Sequence, residues 1–330
     1  MTEAIDDGWP IDEEVPGAPD TLLIKDPSRS IISYNDSPDI PFDRSINPYR
    51  GCEHGCVYCY ARPTHAWLDM SPGIDFETRI VYKPDAALLL RQALDKPGYQ
   101  CRPMGLGTNT DPWQPAERKL GITRSIIEVL KEYGHPLAIV TKSSGIERDI
   151  DLLAEMATRD QVLVHVSIAS LDADLCRKLE PRAATPSRRL RIIEKLAKAG
   201  IPVGVIVAPI IPVLSDIDIE TVLESARNAG ASHSHYILIR LPLEVAPLFR
   251  EWLQTHYPLK AEHVMNRIRD TRNGADYQSG FGQRMRGSGV FAELIANRFA
   301  SAYRRYQFTE ETPLDCAAFA PPGSGQLSLF

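Results

Sequence analysis

No stretch of this chain stays apolar over the roughly 20 residues a membrane-spanning helix needs, which argues against a helical membrane protein. The first residues, Met1-Thr2-Glu3-Ala4-Ile5-Asp6-Asp7, lack the basic and then apolar pattern of a secretory signal, and this predicts a cytoplasmic location with no membrane partner. Cysteine is sparse, with six in 330 residues, and no second close pair accompanies the three that crowd between positions 52 and 59. A reduced compartment and a single crowded group argue against a disulfide framework and for a metal. The scattered cysteines, 101, 176 and 316, read as small buried hydrophobes. Lysine is missing from residues 264–308, where all eight bases are arginines against three acids. Residues 1–44 show the opposite bias, with eleven acids and three bases, and the whole chain carries a net charge of −6.

Proline and acid dominate residues 1–20, which predicts a disordered start, with residues 21–44 as an ordered lead-in across the core. From residue 45 strands and helices alternate. Short apolar strands are expected near 45–49, 105–107, 137–141, 162–168, 203–207 and 236–239. Helices are expected near 84–95, 121–132, 147–158, 186–199 and 216–228, with Gly200 stopping the fourth. Six such repeats over about 200 residues have the length of a barrel-type α/β core, although a doubly wound sheet would alternate in the same way. Polar residues collect just past the strand ends, at Asn109, Asp111, Lys142 and Ser167, which is the rim where parallel barrels build their sites. Residues 244–308 change character to helices and a Gly-rich loop, with a long helix near 290–306. The tail, 309–330, should be mobile. The expected division is therefore 1–44, a core at 45–243, an Arg-rich helical region at 244–308 and the tail.

The crowded cysteines read Cys52-Glu53-His54-Gly55-Cys56-Val57-Tyr58-Cys59. A [4Fe–4S] cluster usually takes four thiolates, so three leave one iron open to a ligand from outside the protein. A zinc site completed by His54 or His65 is the competing reading, though His54 lies inside the loop, where joint coordination is awkward.

This C-x3-C-x2-C with an aromatic before its last cysteine, placed after a first strand, resembles the signature of the radical SAM superfamily. Residues 45–240 are similar to that family's partial (β/α)6 TIM-type barrel. The run from Asn47-Pro48-Tyr49-Arg50-Gly51 to Tyr60-Ala61-Arg62-Pro63 resembles the branch containing spore photoproduct lyase. The resemblance implies that Cys52, Cys56 and Cys59 hold a [4Fe–4S] cluster. It further implies that S-adenosylmethionine binds the open iron and is cleaved by one electron, from an external donor, to a 5′-deoxyadenosyl radical. Tyr58 would lie beside the adenine, Asn109 and Thr110 near the methionine amino group, and Lys142 on its carboxylate. Ser167 would bond the methionine or ribose, and Arg182 is a further candidate for the carboxylate. The lyase's hydrogen-donating cysteine aligns with Thr108, a departure that argues against the same thymine-dimer repair. No further cysteine cluster points to an auxiliary centre.

The chain ends Gln326-Leu327-Ser328-Leu329-Phe330 after a Pro-Pro-Gly-Ser-Gly spacer. This resembles the pentapeptide with which bacterial replication and repair proteins dock on the sliding clamp, with Gln326, Leu327, Leu329 and Phe330 as anchors. It implies action on DNA, with Arg284 and Arg286 of the Gly-rich loop contacting phosphates. The expected activity is thus a radical S-adenosylmethionine enzyme, of lyase or oxidoreductase type, acting in DNA repair. The alternatives are radical modification of RNA or protein, and a non-catalytic iron–sulfur adaptor or redox sensor.

Overall fold

The computed structural model of the protein describes residues 7, 8 and 20–322. The chain opens with β1 (Leu22–Lys25), β2 (Ile32–Tyr34), β3 (Arg44–Ile46) and β4 (Tyr49–Arg50). Then come α1 (Asp75–Thr78), β5 (Arg79–Tyr82), α2 (Ala86–Leu94), β6 (Met104–Leu106), α3 (Glu117–Leu120), α4 (Ile122–Glu132) and β7 (Leu137–Thr141). The middle holds α5 (Ile150–Ala157), β8 (Val162–Ser167), α6 (Ala173–Leu179), α7 (Pro186–Lys198), β9 (Val203–Ile210), α8 (Ile219–Asn228) and β10 (His233–Leu238). Three helices finish the described chain: α9 (Val245–His256), α10 (Ala261–Asp270) and α11 (Val290–Arg305).

The large sheet has the order β10-β9-β8-β7-β6-β3-β2. Strands β3 to β10 in this sheet run parallel, and β2 adds antiparallel to the edge. Parallel neighbours follow one another in chain order without reversal. A doubly wound sheet reverses at a switch point, so this is barrel winding. Among the described residues β3 and β10 do not pair, which leaves the barrel open on one side. β6, β7 and β9 are short, largely apolar runs because helices cover their outer faces. Val164, Val166, Val203, Val205 and Val207 share one core with Ile126, Ile192, Leu196 and Leu223 from α4, α7 and α8.

Local chemistry sets the helix ends. Thr185 caps α7 by accepting from Arg188 N at 3.1 Å, with Pro186 in the first turn. Asp172 caps α6 through the amides of Asp174 and Leu175. The strand expected at 45–49 is shorter. Pro48 has no N–H to continue the ladder, and the chain leaves β3 to form β4 in a separate sheet of order β1-β5-β4.

The Gly-rich segment lies at the open side. Met285 O accepts from Leu238 N at 2.9 Å, while Arg284 pairs with Asp39 between β2 and β3. The tail also departs from expectation over 309–320. Thr309 N, Asp315 N and Ala320 N donate to Ser232, Asp160 and Tyr133 carbonyls at 2.9, 2.9 and 3.0 Å. Phe319 packs against Tyr99, His135 and Tyr133. The Pro/Gly spacer begins only at 321, and the residues before it carry anchors that form a strap under the barrel's N-terminal mouth. No helix among the described residues is long and apolar enough to cross a membrane.

Candidate active site

The cysteine loop follows β4, at the rim where the parallel strands end. Backbone and buried polar side chains fix its path. Cys52 N donates to Phe76 O at 2.8 Å. Glu53 N donates to Gln114 Oε1 at 3.0 Å, and Gln114 Nε2 returns to Gly51 O at 3.1 Å. Arg62 is 3% exposed and donates to the carbonyls of Cys56, Gly55 and Gly73 at 2.9, 3.2 and 2.9 Å. Its charge is met by Glu77, which also pairs with Arg182. Gly55 sits against this cluster at φ +69°, where a Cβ would fall 2.3 Å from Arg182 Nη2. Only glycine tolerates both the conformation and the approach.

Cys52, Cys56 and Cys59 are all free thiols. Burial pushes all three up: Cys52 well above its ordinary value, Cys56 to about 12, and Cys59 in the same direction. Other groups oppose burial. The amides of Asp111 and His54 point at Cys52, that of Ala61 points at Cys59, and Lys142 favours the ionised forms of Cys56 and Cys59. Sulfurs that collect backbone donors, as Cys52 and Cys59 do, or face an ammonium, as Cys56 does, are suited to thiolates bound to a cationic centre.

A single zinc ion fits less well. Its four ligands at about 2.0–2.3 Å would bring sulfurs to within about 4 Å of each other. Among the described residues no three of these thiols, His54, His65 and nearby carboxylates gather within 4.8 Å; the one group that does lies elsewhere. His54 Nδ1 instead faces Asp111 Oδ2 at 3.6 Å, and burial lowers its pKa. His65 Nε2 bonds Arg79 O at 3.0 Å.

The residues expected around the cofactor separate into two groups. Tyr58 and Lys142 come together, the Lys142 ammonium lying 5.9 Å from the Tyr58 ring centroid. Lys142 has no carboxylate within ion-pair distance among the described residues, and its backbone N–H donates to Asp111 at 2.7 Å. Asn109 is half-buried on the same rim and makes no side-chain hydrogen bond among the described residues. The hydroxyls of Thr110 and Ser167 are engaged within the protein, with Tyr49 O and Ala208 O, both at 3.1 Å. Arg182 is held by Glu77 and Glu53 O rather than facing the rim. Asp111 is more than a turn former: it takes both Thr141 Oγ1 and Lys142 N, tying β6's loop to β7.

Sequence reasoning missed the charged network below this rim. Tyr58 OH donates to Glu180, and Glu180 pairs with Arg189. Their side chains are 0% and 1% exposed. Arg189 also donates to Ser167 O at 3.0 Å and Ala184 O at 2.8 Å. Nothing in the local sequence separates Glu180 from a surface acid, because one of its partners, Tyr58, lies far away in the cysteine loop and the other, Arg189, on α7.

Half of the Arg-rich region's arginines are paired with carboxylates within the fold. Arg267, Arg269 and Arg298 pair with Asp270, Asp276 and Glu220. Arg272 is buried and donates to the carbonyls of Gln283 and Ile239. Arg284, expected to meet phosphate, is fastened to Asp39 and Ser37 because it bridges the open side of the barrel. Arg286 lies 4.1 Å from the Tyr236 ring centroid with no carboxylate partner among the described residues. The terminal pentapeptide, with Gln326, Leu327, Leu329 and Phe330, lies outside the described residues.

Comparison with known proteins agrees with this geometry. Residues 46–226, more than half of the chain, match the family described as the Radical SAM superfamily, and the chain belongs to it. An uncharacterised protein of Mycobacterium tuberculosis is 39% identical over 221 residues, 66% of this chain and 65% of that protein. One from the Acidianus two-tailed virus is 31% identical over 199 residues, 56% of this chain and 64% of that protein. These matches thus span slightly less than two thirds of either relative. Among solved structures, spore photoproduct lyase complexed with dinucleoside spore photoproduct has a TM-score of 0.58 at 19% identity, covering 86% of this chain and 78% of that one. A variant of the lyase has a TM-score of 0.60 at 16% identity with the same coverage. At that identity the likeness is one of fold.

Proposed function

We propose that this protein is a radical S-adenosylmethionine enzyme whose [4Fe–4S] cluster is held by Cys52, Cys56 and Cys59. The observation that carries the reading is the meeting, at one barrel rim, of three free thiols, one buried and two half-buried, with an ammonium, Lys142, that has no carboxylate partner among the described residues. When bound, the cluster supplies the single electron that cleaves the sulfonium of S-adenosylmethionine. The chain's own residues do the rest. Lys142 offers a charge-assisted hydrogen bond to the methionine carboxylate, which outweighs a neutral contact. Tyr58, fixed by Glu180, presents a ring face beside it. Asn109, whose side chain makes no hydrogen bond among the described residues, offers a donor and an acceptor to the carboxylate and amino groups. The apolar cluster of Cys52, Ala61 and Phe76 backs the loop and shields that side from water. Thr110 and Ser167 serve by holding the rim through Tyr49 and Ala208.

DNA is the proposed substrate, and repair the proposed setting. Support comes from the fold shared with spore photoproduct lyase, solved with a dinucleoside spore photoproduct, and from the terminal Gln326-Leu327-Ser328-Leu329-Phe330, proposed to dock on a sliding clamp. Arg286 takes the place of Arg284 as the phosphate contact. The test is anaerobic reduction of cluster-loaded protein with S-adenosylmethionine, with and without ultraviolet-damaged duplex DNA. 5′-Deoxyadenosine should form with wild type, rise with damaged DNA and vanish in Cys56→Ala. Formation without any response to DNA would move the substrate to RNA or protein, and no formation from a loaded cluster would leave an adaptor or redox sensor.

A further inference from the structure

A second polar cluster lies at the opposite end of the barrel from the cysteines. On β8, Val164 and Val166 pack in the core with the outer helices. His165 between them therefore faces the barrel interior. Its register partner on β9 is Gly204, and Gly204 pairs in turn with His233 on β10. The two histidines thus flank a residue without a side chain. A Cβ on Gly204 would lie 2.1 Å from His233 Cδ2 and 2.2 Å from its Nε2, so glycine is what lets the His233 ring lie across β9. The His165 and His233 rings meet edge to face with centroids 4.8 Å apart. His235, two residues on, presents its ring to the same face at 5.5 Å from His165.

Into this face the strap inserts Glu311. Its Oε1 lies 2.7 Å from His165 Nε2, 2.5 Å from His235 Nε2 and 4.0 Å from His233 Nε2. The ligand atoms of His165, His235 and Glu311 all fall within 4.8 Å of one another. His233 is the telling member. It is 2% exposed, and its Nε2 is buried with no hydrogen-bond partner among the described residues. Leaving a buried polar nitrogen unmatched costs about 1–3 kcal/mol. Its Nδ1 is 3.0 Å from Ser232 Oγ, which itself reaches Val203 O. That contact suits an Nδ1–H donor and leaves the Nε2 lone pair aimed at the cluster, the second-sphere arrangement of metal-bound histidines.

We propose that His165, His233, His235 and Glu311 bind one zinc-class divalent cation that fastens the strap of residues 309–320 beneath the barrel. Three imidazoles and one carboxylate form a closed tetrahedral set suited to a structural zinc. At about 2.0–2.2 Å from an ion, tetrahedral ligand atoms stand about 3.4 Å apart, so Glu311 must draw back slightly from His165 and His235, while His233, which lies outside that group of three, joins by swinging its Nε2 inward. His235 is 46% exposed and gives the ion its way in. The site shares no residue with the cysteine loop, so it stands whether or not the radical reading does.

The test uses full-length, iron–sulfur-loaded protein equilibrated with micromolar zinc and then gel-filtered. Bound zinc is measured beside iron. Wild type should retain one zinc per chain. Glu311→Gln and His235→Gln should retain at least about tenfold less with iron unchanged. His235 is exposed, so its variant is expected to fold, and a circular-dichroism melt checks this. In the difference spectrum against zinc-loaded protein, cobalt in place of zinc should add tetrahedral visible bands with no new thiolate charge-transfer band. Zinc below a tenth of an equivalent in wild type, equal retention in both variants, or a new thiolate band would overturn the proposal, leaving Glu311 as a hydrogen-bond acceptor from His165 and His235.

Discussion

Replacing Glu180 by Gln should be among the most damaging single changes near the candidate active site. The Glu180 and Arg189 side chains are 0% and 1% exposed and form one ion pair. Burial alone would raise the Glu180 pKa, but Arg189, Lys142 and the Tyr58 hydroxyl together outweigh it and hold the carboxyl below its ordinary value. The glutamine keeps the shape and an oxygen for Tyr58, and removes the charge that compensates Arg189. Breaking a buried pair from one side costs about 3–5 kcal/mol, against a total stability of about 5–15 kcal/mol. At a urea slope of about 3 kcal/mol per molar, the midpoint should fall by about 1 M or more with the slope unchanged. Glu180→Gln with Arg189→Met should recover most of that loss, because the unpaired charge goes too. The carboxyl's folded pKa is depressed, so its contribution is present above the ordinary value near 4.5 and lost as pH falls through the folded value. The assay is anaerobic urea titration followed by tryptophan fluorescence at pH 7 and pH 4. A loss under about 1 kcal/mol in the single variant, or a double variant weaker than the single, would refute the reasoning.

Other outcomes follow from the same geometry. Lys142→Met should weaken S-adenosylmethionine binding by about 10- to 100-fold, the worth of a charged hydrogen bond of about 1.5–3 kcal/mol, with iron content unchanged; equilibrium binding to cluster-loaded protein checks it. Gly55→Ala should lower both bound iron and stability, by about 1–3 kcal/mol, because the left-handed backbone and the Arg182 contact leave no room for a methyl; chemical denaturation and iron analysis read this. His135 is 0% exposed, and burial lowers its pKa to about 4, with Nδ1 and Nε2 set against Pro136 O and Tyr99 OH. The unfolded chain takes up that proton first, so stability should rise with pH from about 4 to 6.5 by about 3 kcal/mol, and His135→Asn should flatten that slope in pH-dependent denaturation.

The repeat pattern and the cysteine spacing were legible because both are local. Short apolar runs separated by amphipathic helices identify parallel strands one at a time, and the C-x3-C-x2-C motif carries its geometry within eight residues. The winding was not legible, since barrel and doubly wound sheets share the same alternation, and only the unreversed order from β3 to β10 decides between them. The charged scaffold was hidden for a related reason. Arg62, Glu77 and Arg182, like Tyr58, Glu180 and Arg189, are far apart in sequence, and each alone looks like a surface charge. Composition misled at Arg284 and over 309–320. In both places residues that read as exposed are tied to the barrel by partners from the lead-in or the strand mouths, Asp39 in the first case and Ser232, Asp160 and Tyr133 in the second.

The central claim is that three thiolates hold a cluster with one iron free for S-adenosylmethionine. The direct measurement is electron paramagnetic resonance of the anaerobically reduced, cluster-loaded protein, before and after S-adenosylmethionine is added, with Cys56→Ala beside it. The account predicts a reduced [4Fe–4S] signal in wild type whose g-values shift when S-adenosylmethionine binds, and no comparable signal in the variant. A signal indifferent to S-adenosylmethionine, or one that persists without Cys56, would contradict it.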